Sequence, residues 1–301
     1  MPKHENNFYL QACRDGGHWA VRQMNRPAGG DVLGTGGMNR LIRGRDGWFL
    51  YNKNDAYIGR ALETYGEYCQ AEADMLRQLV RPGDCVVEVG ANIGSHTVGL
   101  ANAVGPGGKV IAIEPQRAVH QLLCANMALN SIVWADCVHA AAGNASGTVR
   151  IPEVDYAQQG NFGGVSIEQA NQGYPVPLIA LDAALKVPQL RLLKVDVEGM
   201  EQAVLEGAAG LIQQFQPILY VENDRLDRSE AVIRTIDAMH YDCYWHLPYL
   251  FNPQNWFGAA VNLFPGTVSC NMLCISKHAS ANINGLQKIT DPTQHPLRPA
   301  A

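Results

Sequence analysis

The sequence lacks the features that would assign it to several broad classes of protein. No run approaches the roughly 18 apolar residues that span a bilayer, so we expect no transmembrane helix. The first seven residues are polar and no apolar stretch follows them, which argues against a signal peptide. The 23 Lys and Arg are outnumbered by 28 Asp and Glu, so no basic face is available for a phosphate backbone. We expect a cytoplasmic protein with no membrane and no nucleic-acid partner.

The eight cysteines also lack the spacing of a disulfide or zinc framework. They form no C-x-x-C pair, and several lie within apolar runs that predict strands or helices. Free thiols buried in a reducing compartment explain them better than disulfides do. Cys270, Cys274 and His278 could suggest a metal, but the alternation through 272–275 favours a strand.

The centre of the chain alternates short apolar runs with amphipathic stretches, a pattern typical of a parallel sheet covered on both faces. Two more strands after this part are joined by a long loop, which predicts a terminal antiparallel hairpin. The predicted strands are 85–89, 109–113, 133–139, 192–195, 218–221, 243–247 and 272–276, and the predicted helices are 71–80, 95–104, 118–129, 201–215 and 229–239.

These elements divide the chain into three predicted regions. Residues 1–70 form an irregular arm, a β-hairpin and a lead-in segment, and the hairpin turns at 45–47 because Asp-Gly between apolar runs is a strong turn signal. Residues 71–278 form an α/β, Rossmann-like domain with a mainly parallel seven-stranded sheet. The polar, proline-containing segment 279–301 is expected to be disordered.

A glycine-containing turn, EVGANIG at 88–94, follows the first predicted strand. Glycines let the backbone approach a ligand, and the helix that follows offers free N–H groups. Glu114 ends the second strand twenty residues after Gly94, where a carboxylate can accept hydrogen bonds from both hydroxyls of a ribose. Asn92 replaces the central glycine of a pyrophosphate-binding loop, and the negative charge of Glu88 suits the cationic amino group and sulfonium of S-adenosylmethionine.

Three motifs together resemble the FkbM family of methyltransferases, over about residues 55–277: VVEVGANIGSHT at 86–97, IEP at 113–115 and LKVDVEGME at 193–201. The resemblance implies a class I methyltransferase that transfers methyl from S-adenosylmethionine to a hydroxyl of a sugar, glycan, polyketide or other secondary metabolite. It also implies a turn at 140–143 that flanks the adenine, and Glu114 on the ribose. The complete predicted cofactor set is Glu88, Gly90, Ala91, Asn92, Gly94, Glu114, Pro115, Ala141 and Asp196.

Polar side chains end the fourth and fifth predicted strands, where reacting groups gather in a parallel sheet. Methyl transfer is an in-line displacement, so the protein must align the acceptor and remove its proton. One hypothesis is a metal-free base, either Asp196, His96 or His246. Another is Mg²⁺ bound by Asp196, Glu222 and Asn223, similar to the metal site of catechol-type O-methyltransferases. A third is that position alone activates the acceptor.

Two of these positions also have a purely structural interpretation. Glu198 stands where a carboxylate caps the helix that starts near Met200. His96 would lie on a helix face directed toward solvent.

The acceptor is predicted to be a small molecule or a glycan. Seven aromatic residues within 241–257 suit stacking on such an acceptor, and the glycine-rich segment 161–166 suits a lid. Two other functions stay open. One is a nicotinamide-dependent oxidoreductase, disfavoured by Asn92 and the terminal hairpin, and the other is a non-catalytic binding protein with the same fold. The sequence leaves open whether the chain forms a homo-oligomer.

Overall fold

The computed structural model describes residues 8–15, 18–25, 33–34, 36–166, 172–280 and 282–298, with the backbone alone up to residue 33. The strands are β1 Phe8–Asp15, β2 His18–Asn25, β3 Leu33–Gly34, β4 Asn39–Arg43, β5 Trp48–Asn52, β6 Cys85–Val89, β7 Lys109–Ile113, β8 Ala135–Val138, β9 Ala141–Ala142, β10 Gly147–Ile151, β11 Tyr174–Ile179, β12 Leu192–Val195, β13 Ile218–Glu222, β14 Tyr241–His246, β15 Asn271–Ser276 and β16 Gln287–Lys288. The helices are α1 Ile58–Tyr65, α2 Gln70–Leu79, α3 Thr97–Val104, α4 Arg117–Leu129, α5 Leu181–Ala184, α6 Glu201–Glu206, α7 Ala209–Phe215 and α8 Ser229–Ala238.

The central sheet has the strand order β16-β14-β15-β13-β12-β6-β7-β8. Strands β13, β12, β6, β7 and β8 are parallel, and β15 is antiparallel to both β13 and β14. The mainly parallel sheet with a terminal antiparallel hairpin is therefore confirmed. From β6 the chain continues to β7 and β8 on one side, and it returns to β12 and β13 on the other. This reversal opens a crevice at the carboxyl ends of β6 and β12.

Two hydrophobic cores cover the two faces of the sheet. Every residue of β6 is buried, as expected for a strand with helices on both sides, and successive side chains point to opposite faces. Val87 and Val89 join one core, whereas Val86 joins the other. Glu88 of β6 and Lys194 of β12 break this apolar pattern and are register partners in adjacent strands. Both lie at the crevice.

The predicted helix 201–215 is two helices, α6 and α7. Asp182 stabilises the start of α7, because its carboxylate accepts hydrogen bonds from the N–H groups of Gly210 at 2.7 Å and Leu211 at 2.8 Å. The chain between the helices also touches the Gly143 backbone, where a Cβ on Gly207 would lie 2.0 Å from the Gly143 oxygen. The sequence analysis missed α1, α5 and the small sheet of β10, β11 and β9.

The N-terminal region contains more strand than predicted. The hairpin at 45–47 is confirmed, since β4 and β5 pair with Arg43 opposite Trp48. The segment predicted as an irregular arm also contains β1 and β2, which pair antiparallel. The signal for this pair was Gly16-Gly17 between two runs with strand-like residues, a recognised hairpin pattern.

The segment 279–301 was predicted to be disordered, and this is wrong for its described part. Strand β16 pairs with β14 and makes an eighth strand of the described sheet. The pairing covers the edge that β14 would otherwise expose. His295 is buried and its Nε2 lies 2.7 Å from the backbone oxygen of Asn223. Within the described residues, no helix has both the length and the apolar character that crossing a membrane requires.

Candidate active site

A cleft of about 230 Å³ lies at the carboxyl ends of β6 and β12, where the strand order reverses. One side is formed by the turn after β6 and the end of β7, and the other by the ends of β12 and β13. Helix α2 and the segments 161–165 and 267–269 contribute further walls. The cleft therefore collects residues from parts of the chain that are far apart in sequence.

The turn after β6 is shaped by glycine and by close packing against β12. Gly90 has φ +84°, and a Cβ on it would lie 1.7 Å from the Asp196 carbonyl oxygen. The N–H groups of Gly90 and Ala91 both donate to the Ile113 oxygen, at 2.9 and 3.0 Å. Gly90, Ala91 and Asn92, three of the predicted cofactor residues, line the cleft. Gly94 does not, because its missing Cβ faces Leu123 and Met127 in the core.

Glu114, at the end of β7, is 3% exposed and holds the same turn in place. Its Oε2 accepts the Asn92 N–H at 3.0 Å and its Oε1 accepts the Gln116 N–H at 2.8 Å. Burial raises the pKa of Glu114 to about 7, although these two hydrogen bonds act to lower it. Each oxygen keeps a lone pair that a ligand hydroxyl can use. Pro115 and Ala141 also line this end of the cleft.

Glu88 and Lys194 lie beneath the cleft as a buried charged pair. Glu88 Oε2 accepts the Thr97 hydroxyl at 2.7 Å, and Glu88 Oε1 lies 3.9 Å from Lys194 Nζ. Burial raises the pKa of Glu88 to about 7, against the opposite effect of the ammonium. Burial also disfavours the charge of Lys194, but the surrounding carboxylates outweigh it and raise the pKa of that ammonium. The sequence analysis did not single out Lys194.

Asp196 lies directly after β12 and is the carboxylate that Lys194 contacts most closely. Lys194 Nζ donates to Asp196 Oδ2 at 2.8 Å, and 34% of the Asp196 side chain is exposed. Burial acts to raise the pKa of Asp196, but the ammonium outweighs it and lowers that pKa. Glu222, at the end of β13, is hydrogen-bonded to Asp196, and burial together with the Asp196 charge raises its pKa well above the usual value. The two neighbouring carboxyl groups thus have pKa values shifted in opposite directions, with ionisation favoured at Asp196 and disfavoured at Glu222.

His96 lines the cleft and is not directed to solvent. It is 7% exposed, and its Nε2 lies 3.5 Å from Glu72 Oε1, a carboxylate of α2 that the sequence analysis missed. Burial, helped by the nearby Lys194 charge, lowers the pKa of His96 to about 3. The imidazole is thus neutral at physiological pH, and its Nδ1 has no hydrogen-bond partner among the described residues.

His246 lies outside the set of cleft-lining residues, so the structure does not bring this predicted base to Asp196. Its Nδ1 lies 2.8 Å from the hydroxyl of Tyr220, and the side chain packs at the end of β14. The interpretation as a packed strand histidine fits this position.

The structure does not bring the three predicted Mg²⁺ ligands together. Asn223 is absent from the cleft lining, and its amide nitrogen donates to Ser229 Oγ at 3.0 Å and contacts Met272 Sδ at 3.2 Å. Asp196 Oδ2 already accepts a hydrogen bond from the Lys194 ammonium at 2.8 Å, and that ammonium would repel a cation bound at the same carboxylate. No group of three His, Cys, Asp or Glu in the described part of the chain is arranged to hold a metal ion, and this includes Cys270, Cys274 and His278. The side chains present do not fit the metal.

Two other predictions about the cleft walls have different outcomes. Asn161, Gly163, Gly164 and Val165 line the cleft, so the glycine-rich segment is one of its walls. The aromatic residues of 241–257 do not line it, since Tyr241, Trp245 and Trp256 are buried and Tyr249 is 63% exposed outside it.

Glu198 is not the cap of α6. Its Oε2 accepts Arg225 Nη2 at 2.6 Å, whereas Glu201 reaches back to the Gly199 N–H at 2.8 Å. Glu198 itself lines the cleft. The residue that was interpreted as a helix cap therefore contributes a carboxyl group to the site.

The strand order, the terminal hairpin and a cleft at the switch point define a class I, Rossmann-like methyltransferase. The Methyltransferase FkbM domain matches residues 88–243. The chain belongs to the FkbM family of S-adenosylmethionine-dependent methyltransferases. No curated protein matches it significantly.

The fold is also similar to solved structures. The methyltransferase FkbM from Methylobacillus flagellatus KT is 19% identical, with a TM-score of 0.40, and the match covers 67% of this chain and 50% of that one. This chain thus spans half the length of that protein. An O-methyltransferase from Bacillus cereus in complex with S-adenosylhomocysteine is 11% identical, covering 69% and 81%, with a TM-score of 0.42. An S-adenosylmethionine-dependent O-methyltransferase from Thermotoga maritima is 12% identical, covering 86% and 89%, with a TM-score of 0.43.

Proposed function

We propose that this protein transfers the methyl group of S-adenosylmethionine to a hydroxyl of a sugar, glycan, polyketide or other secondary metabolite. The observation that carries the proposal is the position of Asp196. This ionised and partly exposed carboxylate lies at the end of β12, and its backbone packs against Gly90 of the cofactor turn. A base beside the methyl donor is the arrangement that O-methylation requires.

The cofactor would lie along the turn after β6 and the end of β7. Gly90, Ala91 and Asn92 offer backbone surface next to the methionine part, and Glu114 has free lone pairs for the ribose hydroxyls. Ala141 and Pro115 suit the apolar faces of the adenine. Glu88, Asp196 and their neighbours give this region the negative charge that suits a cationic ligand.

Bound S-adenosylmethionine supplies a methyl group activated by its positive sulfonium. Asp196 would accept the proton of the acceptor hydroxyl as the oxygen–carbon bond forms and the carbon–sulfur bond breaks. His96, neutral and part of the same cleft, is the second candidate for that proton. Gln116 would help to hold the wall segment closed over the site, because its Nε2 donates to the Phe162 oxygen at 2.7 Å.

The charge of the cleft favours a neutral or cationic acceptor. Besides Asp196 and Glu222, it is lined by Glu72, Glu198 and Asp224, and Lys194 is the single Lys or Arg among the lining residues that the structure describes. Phosphate-rich acceptors, including nucleic acids, would meet repulsion here. A hydroxyl-rich sugar, by contrast, can donate hydrogen bonds to these carboxylates.

The test uses radiolabelled S-adenosylmethionine with a panel of methyl glycosides and macrolactones. We expect label on an oxygen of one acceptor class and an equal amount of S-adenosylhomocysteine. Thermal stabilisation by S-adenosylhomocysteine, but not by NAD or NADP, would separate this function from that of an oxidoreductase. Cofactor binding without turnover of any acceptor would favour a binding protein, and label on nitrogen or carbon would refute O-methylation.

A further inference from the structure

One buried cation lies directly beneath the cleft, in the middle of the sheet. Lys194 is 2% exposed, and its Nζ donates to Asp196 Oδ2 at 2.8 Å. The same Nζ lies 3.9 Å from Glu72 Oε1 and 3.9 Å from Glu88 Oε1. One ammonium is therefore surrounded by three carboxylates from α2, β6 and the end of β12.

Packing alone does not require a lysine at this position. Its neighbours on β12 are apolar, and its register partners are Glu88 on β6 and Tyr220 on β13. Buried ion pairs are often no more stabilising than apolar side chains of the same volume. A methionine would continue the apolar strand, so the charge itself calls for an explanation.

The two carboxylates at the mouth of the site indicate what the charge does. Asp196 and Glu222 are hydrogen-bonded to each other, and burial acts to raise the pKa of both. Lys194 contacts Asp196 and lowers its pKa, whereas the pKa of Glu222 is raised, with the Asp196 charge as a further cause. Lys194 Nζ donates to Asp196 Oδ2 at 2.8 Å, whereas its other ion-pair partners in the described part of the chain are Glu72 and Glu88, so the ammonium acts directly on Asp196 and not on Glu222.

We propose that Lys194 is a positioning residue that holds Asp196 ionised and oriented for proton abstraction. In this proposal the Lys194 ammonium supplies the positive charge beside Asp196 that the sequence analysis assigned to a Mg²⁺ ion. The inference rests on the proposed role of Asp196 as the base. Other titratable groups also face Lys194 and Asp196 from the elements packed around them. They are Tyr68 and Cys69 before α2, Glu72 on α2, Glu88 on β6, His96 before α3, Glu114 after β7, Glu198 after β12, Glu201 on α6, Tyr220 and Glu222 on β13, and Asp224 after β13.

The test is an NMR titration of protein labelled with ¹³C at the aspartate carboxyl carbons, with Asp196→Asn assigning the signal. In the wild type, Asp196 should titrate below the ordinary aspartate value of about 3.9. In Lys194→Met the midpoint should rise by about 1 to 3 pH units, because an opposite charge at this range lowers a carboxyl pKa by about that amount. Lys194→Arg, which keeps the charge, should restore most of the difference.

A matched control is Lys109→Met on β7, whose Nζ lies 2.6 Å from Asp136. This variant removes a lysine charge from the same sheet and should leave the Asp196 signal unchanged. If Lys194→Met does not fold, the double variant Lys194→Met/Glu88→Gln makes the same test with one buried charge fewer.

The wild-type titration alone can overturn the inference. A wild-type Asp196 midpoint at or above about 3.9 would do so, as would a midpoint that does not move when the lysine charge is removed. The titration needs no acceptor, so failure to find turnover would refute the proposed function without altering this result.

Discussion

The two sides of the cleft are built in different ways. On the cofactor side, residues 88–92 and 113–116 bind each other through backbone groups, with Glu114 joining the two turns. On the acid side, Lys194, Asp196 and Glu222 depend on charges that come from strands and a helix far apart in sequence. The difference suggests that cofactor binding depends on backbone shape and that reactivity depends on charge balance.

Asp196→Asn should separate the two sides most clearly. The variant loses the proton acceptor but keeps an oxygen for Lys194, so we expect turnover to fall by about 10²- to 10⁴-fold. Affinity for S-adenosylhomocysteine should change by no more than about tenfold, since a lost neutral hydrogen bond contributes roughly 0.5 to 1.5 kcal/mol. Turnover is measured with the acceptor that the panel identifies, and affinity by calorimetry.

Asp136→Asn is the control, because Asp136 pairs with Lys109 at the far side of the sheet. It should leave turnover unchanged. Full activity in Asp196→Asn would instead leave His96 or acceptor positioning as the source of rate.

Gly90→Ala should damage both sides together. The added Cβ would lie 1.7 Å from the Asp196 carbonyl oxygen at φ +84°. Strain at a positive φ costs about 1 to 2 kcal/mol and overpacking about 1 to 3 kcal/mol, so the free energy of unfolding should drop by roughly 2 to 5 kcal/mol. Chemical denaturation followed by circular dichroism measures this drop.

Gly107→Ala provides the comparison, since a Cβ there meets nothing within 4 Å. It should be neutral or slightly stabilising. The Gly90→Ala protein could instead keep normal stability and lose only cofactor binding. That result would mean that position 90 needs a glycine to make room for the ligand, and not for packing against the chain after β12.

Glu114→Gln should have a smaller effect, confined to the cofactor side. Replacing the charged acceptor should weaken S-adenosylhomocysteine binding by roughly 1.5 to 3 kcal/mol, the contribution of a hydrogen bond to a charged group. Because the pKa of Glu114 is about 7 and ribose hydroxyls favour its ionised form, wild-type affinity should fall as the pH drops below 7. Calorimetry across this pH range measures both effects.

The pKa of Glu88 is raised to the same value, and Glu88 lines the same cleft. The Glu114→Gln variant is therefore needed to assign the pH dependence of cofactor affinity to one of the two residues. Glu114→Gln should abolish most of it. A pH dependence that survives in Glu114→Gln would move the titrating group to Glu88.

The contrast also explains what could be predicted from the sequence. Short motifs such as 86–97 carry the strand, the turn and the proposed cofactor residues together, so the fold and this part of the cleft lining could be predicted from local pattern. Glu72 and His96 meet only because α2 packs against the start of α3, and no local signal reports that contact. Gly94 lies outside the cleft lining, because a motif glycine can be required by the core as well as by a ligand.

The contacts of Lys194 and of Asn223 were also hard to predict from the sequence. A lysine inside an apolar strand looks like an exception until its three carboxylate neighbours are known. Similarly, Asn223 follows Glu222 directly, yet it points to Ser229 and Met272 because the chain turns into α8. Adjacent residues at a strand end need not share a site.

Chelation should have the smallest effect, and it tests the acid side directly. Lys194 already supplies a positive charge 2.8 Å from Asp196, and the Asn223 amide is engaged elsewhere, so EDTA should leave turnover unchanged. Calorimetry of Mg²⁺ or Mn²⁺ into the protein should likewise detect no binding that Asp196→Asn removes. Glu222→Gln should behave as the wild type in both assays, because burial and the Asp196 charge already disfavour an ionised Glu222. A loss of turnover with EDTA that Mg²⁺ restores would show that a metal, and not Lys194, supplies the charge at Asp196.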